Sequence, residues 1–233
     1  MKKEYKVEFK SNFDEELEKK WLDLEKNSEI TFFQSLNWQK YWSKTCGLNL
    51  SKIFTLFYED NLLVCILPFN INQKFFIKFL NWNGFPFSDY NCPIIRKNFE
   101  FKSDHFELIL NKIKRTSKFD FINLINNINI SYFPNNFLET NKSYKLIFSK
   151  KETSVSIISK LQKKVNYEEN RIKKSFKIVC DLKPEIDTKK QIINFFIQEK
   201  KKQLNRSNAW NYLNIKKFSD YIVNLHEFNS EFI

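Results

Sequence analysis

The sequence predicts an α/β protein, a sheet layered with helices. Three observations carry that expectation. Stretches of helical periodicity alternate with stretches rich in β-branched and aromatic residues. Two of the latter flank a short polar turn, Glu59-Asp60-Asn61, as the strands of a hairpin do. The chain has 233 residues, 42% hydrophobic and 17% aromatic, enough to bury a core as one large domain or two small ones.

Taken in order, Phe13, Leu17, Trp21 and Leu24 recur at helical spacing and form one apolar stripe, with Asn12 or Asp14 placed to cap the helix and mixed charges on its other face. Ser35 can cap a short second helix to Trp42 that carries Trp38, Tyr41 and Trp42 on one side. Ile53 to Tyr58 and Leu62 to Phe69 make the hairpin, and Phe75 to Trp82 is a third strand. The loop Asn83 to Pro93 follows, holding Gly84, one of only two glycines, so other reversals must rely on Asn and Asp. Ser103 or Asp104 can cap a helix over Phe106 to Ile113, and Phe119 to Ile125 reads as a buried strand. A strand is expected at Tyr144 to Phe148 and a linker at Ser149 to Thr153. A helix over Ser154 to about Phe176 follows, with Ile158, Leu161, Val165 and Ile172 on one face, then a strand at Lys177 to Leu182. Pro184 breaks the chain before helices near Thr188 to Leu204 and Ile215 to Phe228.

Phe, Ile, Lys and Asn dominate while Ala209 is the only alanine, a bias that A/T-rich coding produces without functional pressure. The net charge of +12 argues for anionic partners, not for a fold. It is uneven: residues 1–100 carry 14 Lys/Arg against 13 Asp/Glu, and 101–233 carry 25 against 14, so any anion-binding surface belongs to the second part. Cys46, Cys65, Cys92 and Cys180 form no C-x-x-C pair, which predicts reduced thiols and neither a zinc site nor a disulfide framework. The charged N-terminus lacks the apolar stretch of a secretory leader, and no apolar run approaches the roughly 20 residues that span a bilayer. A cytoplasmic location without a transmembrane segment is expected.

With only Gly47 and Gly84, a G-x-x-x-x-G-K-[ST] phosphate loop, a G-x-G-x-x-G fingerprint and a G-x-S-x-G elbow are all excluded. His105 and His226, the only histidines, stand in polar contexts outside any H-E-x-x-H arrangement and are expected at the surface, so no metal is implied.

Several landmarks carry a family resemblance. They are FFQSLNWQKYW before the first strand of the hairpin; LLVCILPF, a small apolar strand closed by Leu-Pro; SDYNCPII, an Asp-Tyr step; FDFINLINNI, a strand; and KLQKKVNYEENRIKKSFKI, a basic helix followed by a strand. In this order, over about 150 residues, the chain resembles the CelD-like acyltransferases, relatives of the FemAB aminoacyl transferases built on the GNAT (acyl-CoA N-acyltransferase) fold. The resemblance implies a GNAT-like mixed β-sheet flanked by helices over residues 1–150. Residues 151–233 would then be the opening helices and first strand of a second, incomplete GNAT-like domain. It also implies transfer of an acyl group from acetyl-CoA or another acyl-CoA to a small amine such as an amino sugar or amino acid. The core strands of the second domain and a pyrophosphate-cradling loop are missing, so a homodimer or a partner completing that domain is expected.

Acyl transfer to an amine needs the amine deprotonated, an oxyanion held by donors and the geometry fixed, which backbone amides and a carboxylate or water can supply. Asp89 and Tyr90, on the loop beside the Gly-Pro turn, are the candidates for a substrate cleft, against the plainer reading that Asp89 bonds the loop backbone and Tyr90 packs at its edge. Trp38 and Trp42 can line an acceptor pocket, although aromatics four apart are more often core. Lys160, Lys164, Arg171 and Lys174 share a helix face that can meet a CoA phosphate, an anionic lipid or nucleic acid, although such a basic stripe is more often a solvated face. Three functions compete. An acyltransferase should show a split between two parallel strands with a pocket there. A nucleic-acid binder should show its basic stripe continuous with exposed aromatics. A noncatalytic scaffold should leave an apolar face for its partner.

Overall fold

The computed structural model describes residues 3–127, 130–134, 162–163, 165–167, 169–171, 185–209 and 211–224. Its first element, β1 (Tyr5–Lys10), alternates Tyr5, Val7 and Phe9 with Lys6, Glu8 and Lys10. That is the two-residue period of a half-buried strand. The chain then enters α1 (Glu15–Lys26), where Asp14 Oδ1 accepts the Leu17 amide at 2.7 Å and Leu17, Trp21 and Leu24 are fully buried. After a 3-10 turn at Phe32–Gln34, α2 (Leu36–Lys44) starts at Ser35, whose hydroxyl accepts the Trp38 amide.

Strands β2 (Ser51–Glu59) and β3 (Leu62–Lys74) form the expected hairpin. Asp60 and Asn61 both have left-handed backbones (φ 47° and 67°), which fits a two-residue turn to the twist of its strands. The third strand, β4 (Ile77–Trp82), starts two residues later than expected because β3 continues to Lys74 and Phe75-Phe76 form the turn. A short β5 (Ile94–Ile95) pairs with Cys65 and Ile66 of β3. Helix α3 (Ser103–Thr116) crosses to β6 (Phe121–Asn123), which lies parallel to β4. The sheet order is β1-β2-β3-β4-β6, antiparallel except for the last pair.

Alternation along β2 and β3 explains the layers. Ile53, Phe57, Leu67 and Phe69 point to one face, packed with Phe106, Ile109 and Ile113 of α3. Phe54, Leu56, Tyr58 and Ile66 point to the other, packed with Leu17, Trp21 and Leu24 of α1. The protein is therefore α/β, a mixed sheet flanked by helices. At roughly 25 cal/mol per Å² of apolar area, each buried Phe or Leu contributes about 1.5–3 kcal/mol, so both faces are needed to hold the sheet.

Two compact units are present, Met1–Thr140 with Tyr212–Tyr221, and Asn141–Asn211 with Ile222–Ile233. The second contains helical turns at residues 162–163, 165–167 and 169–171 and the long α4 (Ile186–Arg206). The last helix, α5 (Lys216–Asn224), begins in the segment that belongs to the first unit. The strands expected at Tyr144 to Phe148 and Lys177 to Leu182 lie outside the described residues, as do most of Ser154 to Phe176 and the linker before it. Among the described residues no helix is long and apolar enough to cross a membrane.

Three expectations need correction. β6 is three residues long and Phe121 is exposed, because among the described strands it is the outermost of the sheet and not a buried one. Neither Ser103 nor Asp104 caps α3: both lie within the helix, and the His105 ring nitrogen Nδ1 accepts the Lys102 amide at 3.1 Å. His105 is not a plain surface residue, since Tyr5, Phe57, Phe99 and Phe101 surround it with ring centroids 4.9–5.7 Å away.

Candidate functional site

The only parallel pair among the described strands is where chemistry was expected. β4 and β6 share three rungs, Phe79 with Phe121, Leu80 with Ile122 and Asn81 with Asn123, and Asn123 Nδ2 donates to Asn81 Oδ1 at 2.8 Å. Past that rung β4 stays with β3, and the Asn83 amide donates to Pro68 O at 2.8 Å. The rungs that β4 gives up are taken by Asn91 from the Asn83 to Pro93 loop. Its amide donates to Asn126 O at 2.7 Å, and its side-chain Nδ2 donates to Ser88 O (3.2 Å) and Ile125 O (3.1 Å). Asn126 Nδ2 also reaches Ser88 O, at 3.1 Å, and Trp82 Nε1 donates to Asn127 Oδ1 at 2.7 Å. Asn91 is 3% exposed, so this stitch is buried. Left-handed Asn126 (φ 59°) supplies the bend that brings its carbonyl to the loop.

On the other side of the loop, helix α2 and the 3-10 turn contribute buried amides. Gln39 Nε2 donates to Phe33 O (2.7 Å) and Asn83 O (3.1 Å), while Asn83 Nδ2 donates to Gln39 Oε1 (2.7 Å) and Ser43 Oγ (3.1 Å). Gln34 Nε2 donates to Tyr90 O at 2.6 Å. These partners are all neutral, so the loop is held without a charge in the interior.

Against this polar layer stand aromatic rings. Trp38 packs edge-on against Phe32, Phe33 and Tyr221, at centroid distances of 5.0, 5.1 and 5.6 Å. Phe87 meets Tyr212, Phe218 and Tyr221, and Tyr41 donates its hydroxyl to Tyr221 O at 2.8 Å. Several buried polar atoms here have no protein partner: Trp38 Nε1, Trp42 Nε1, Ser88 Oγ, Asn83 Oδ1 and the Tyr221 hydroxyl. Two of them meet at Gly84 (φ 122°), where an added Cβ would lie 3.5 Å from Trp38 Nε1 and collide with Ser88 Oγ. An indole N–H and a hydroxyl side by side form a small donor set for a water or a carbonyl oxygen.

The residues proposed from sequence separate. Trp38 and Trp42 are 3% and 1% exposed, as core aromatics are. Tyr90 is half exposed, its carbonyl taken by Gln34 and its ring 6.1 Å from Phe33. Asp89 is exposed beside it, and the loop backbone is held by Asn91, not by Asp89. Arg171 is exposed on a helical turn, and Lys160, Lys164 and Lys174 lie outside the described residues. Gln34, Gln39, Asn83, Ser88, Asn91 and Tyr221 were not singled out from sequence. Buried amides look like surface residues in a hydrophobicity pattern, and Tyr221 lies 180 residues from the Tyr41 it meets.

The ionisable groups limit the chemistry further. Burial pushes the Cys46 thiol up to about 11 and Cys92 up to about 12, and raises Cys65 as well, so none of these is a thiolate nucleophile at neutral pH. Burial lowers the His105 pKa, which favours the neutral imidazole that accepts the Lys102 amide. Among the described residues no group of three or more His, Cys, Asp or Glu is placed to hold a metal ion. A depression of about 370 Å³ along α3 is lined by Asp104, Glu107, Lys112 and Arg115, charges of both signs on one helix. No family model, no curated protein and no solved structure matches this chain.

Proposed function

We propose that this chain is a CelD-like relative of the GNAT-superfamily N-acyltransferases whose first unit does not bind the acyl donor, and which takes part in acyl transfer to a small amine together with a partner. What supports the superfamily reading is the order of elements. Two helices separate β1 from β2, an antiparallel run leads to β4, and α3 crosses to a strand parallel to β4.

One observation carries the noncatalytic part. Between the parallel strands, where an acyl-thioester arm would lie against free backbone amides, Asn91 already occupies the Asn126 carbonyl, and its side chain spans Ser88 and Ile125. The chain's own loop fills the donor's place. On the acceptor side, the exposed Asp89 directly precedes the half-exposed Tyr90, whose ring lies 6.1 Å from Phe33. A carboxylate beside aromatic faces suits a protonated amine. Acetyl-CoA or another acyl-CoA would be the co-substrate of the completed assembly, not a ligand of this unit.

Calorimetric titration of the chain with acetyl-CoA, at low and at high salt, tests the assignment. The expected result is no heat, or heat that salt abolishes, since attraction of CoA phosphates to a chain of charge +12 is screened. Saturable binding that survives high salt would overturn it. A role as a noncatalytic scaffold subunit is the second reading, favoured by α4. Ile192, Phe195 and Phe196 recur there at one-face spacing and are 54%, 70% and 60% exposed. Sedimentation equilibrium separates the two, because a scaffold of this kind self-associates or captures its partner without any acyl donor.

A further inference from the structure

The β3–β4 hairpin ends in two aromatic side chains that the fold does not use. Phe75 and Phe76 form its turn and are 81% and 95% exposed. Phe75 also takes a left-handed backbone, φ 56°, which costs a bulky residue roughly 1–2 kcal/mol. Among the described residues the other non-glycine residues with positive φ are Asp60, Asn61, Asn126 and Asn208, the types that tolerate it. Asparagine is among the commonest residues of this chain, as phenylalanine is, and would hold this backbone at lower cost. A ring placed here against backbone preference, and without packing, gains its free energy outside the folded chain.

The apolar surface continues down one side of the hairpin. Ile77 is 42% exposed, and the next residue on that face, Phe79, stacks on Phe121, which is 57% exposed, at 5.8 Å and 25°. Cations frame it. Lys74 precedes the turn, Lys78 follows it, and Lys118 lies just before β6; none has an ion-pair partner among the described residues. The nearby acid, Asp120, has a carboxylate oxygen 2.7 Å from the Lys78 amide, turned onto the strand end.

We propose that this hairpin is an anchor for an anionic membrane surface, with Phe75 and Phe76 entering the headgroup–acyl boundary and Lys74, Lys78 and Lys118 meeting lipid phosphates. Exposed rings at the end of a narrow projection suit insertion into a soft interface better than a flat protein contact, and the free lysines choose the lipid charge. The proposal is independent of the acyl-transfer reading, since it uses no residue of the loop or of α2.

Flotation with vesicles of phosphatidylcholine, with and without about one third phosphatidylglycerol, tests it. The intact chain should float with the anionic vesicles only. Changing Phe75→Asn together with Phe76→Asn relieves the left-handed strain at the turn, so the melting temperature should hold or rise while the partition coefficient falls about 100-fold, roughly tenfold for each ring withdrawn from lipid. A Phe76→Trp variant should shift its emission to the blue on adding anionic vesicles. The proposal is overturned if the intact chain ignores anionic vesicles, if binding survives the asparagine pair and disappears only on Lys74→Glu with Lys78→Glu, or if the rings serve self-association that the asparagine pair abolishes in sedimentation.

Discussion

Replacing Asn91 by alanine tests the central structural claim, that this side chain closes the gap between the parallel strands. The substitution deletes two hydrogen bonds, a buried one to Ser88 O at 3.2 Å and a half-buried one to Ile125 O at 3.1 Å. Ser88 O keeps the Asn126 side chain as donor, so the larger loss falls on Ile125 O. With each bond worth about 1 kcal/mol net, the loss should be about 2 kcal/mol. For a unit of this size that is a fall in Tm of about 5–10 °C. Urea unfolding followed by the fluorescence of the buried Trp21, Trp42 and Trp82 measures it, with an unchanged m-value as the check that the unfolded state is the same. Asn91→Asp is the control. At neutral pH its carboxylate offers only acceptors to two carbonyl oxygens and should destabilise more than alanine does, with partial recovery in acid, where the bound proton supplies one donor. A loss below about 0.5 kcal/mol for Asn91→Ala would refute the stitch, because two such bonds are not that cheap to remove.

Two further outcomes follow from the same geometry. Tyr221 is buried with its hydroxyl unpartnered, so Tyr221→Phe should leave stability unchanged or raise it by up to about 1 kcal/mol, whereas Tyr221→Ala should cost about 3 kcal/mol or more; a loss for the phenylalanine variant in chemical denaturation would mean that a bound water or ligand uses that hydroxyl. Glu25 accepts the Leu36 amide at 3.0 Å, yet burial, its largest influence, raises its pKa. The folded chain therefore holds that proton more tightly than the unfolded chain, and this group's contribution to stability is greatest below the ordinary glutamate pKa and falls as pH rises through the window up to the raised value. Glu25→Gln keeps the acceptor and removes the charge, so its Tm should exceed that of the parent at pH 7 and the difference should vanish near pH 4, as a pair of thermal melts at the two pH values would record.

The legibility of the fold varied with how local its causes are. Helix α1 was readable because a cap, Asp14, and one stripe, Leu17, Trp21 and Leu24, both lie within its own dozen residues. The β2–β3 hairpin was readable because Asp60-Asn61 is a turn chemistry of its own. β1 was not read as a strand, because the charges interleaved with Tyr5, Val7 and Phe9 made the segment look like a solvated terminus; only pairing with β2 shows the alternation for what it is. Asp89 and Tyr90 lie on the loop Asn83 to Pro93 that the sequence delimits, while the residues that hold it, Asn91, Gln34 and Gln39, carried no sequence signal as buried groups.

By itself, then, the sequence determined α1, α2, the β2–β3 hairpin, the strand that ends at Trp82 and a helix ending beyond Ile113, because periodicity and turn residues act over neighbours in the chain. It also ruled out the glycine-dependent nucleotide motifs, which need residues the chain does not have. Tertiary structure alone decided that β6 runs parallel to β4 yet leaves it after three rungs, and that Asn91 takes up the free backbone there. It also decided that Tyr212–Tyr221 belongs with the first unit, covering Trp38, Tyr41 and Phe87. Those outcomes depend on which distant groups are left unpaired once the sheet has formed. A buried carbonyl or an uncovered ring recruits its partner by free energy and proximity, and neither is encoded in the spacing of residues along the chain.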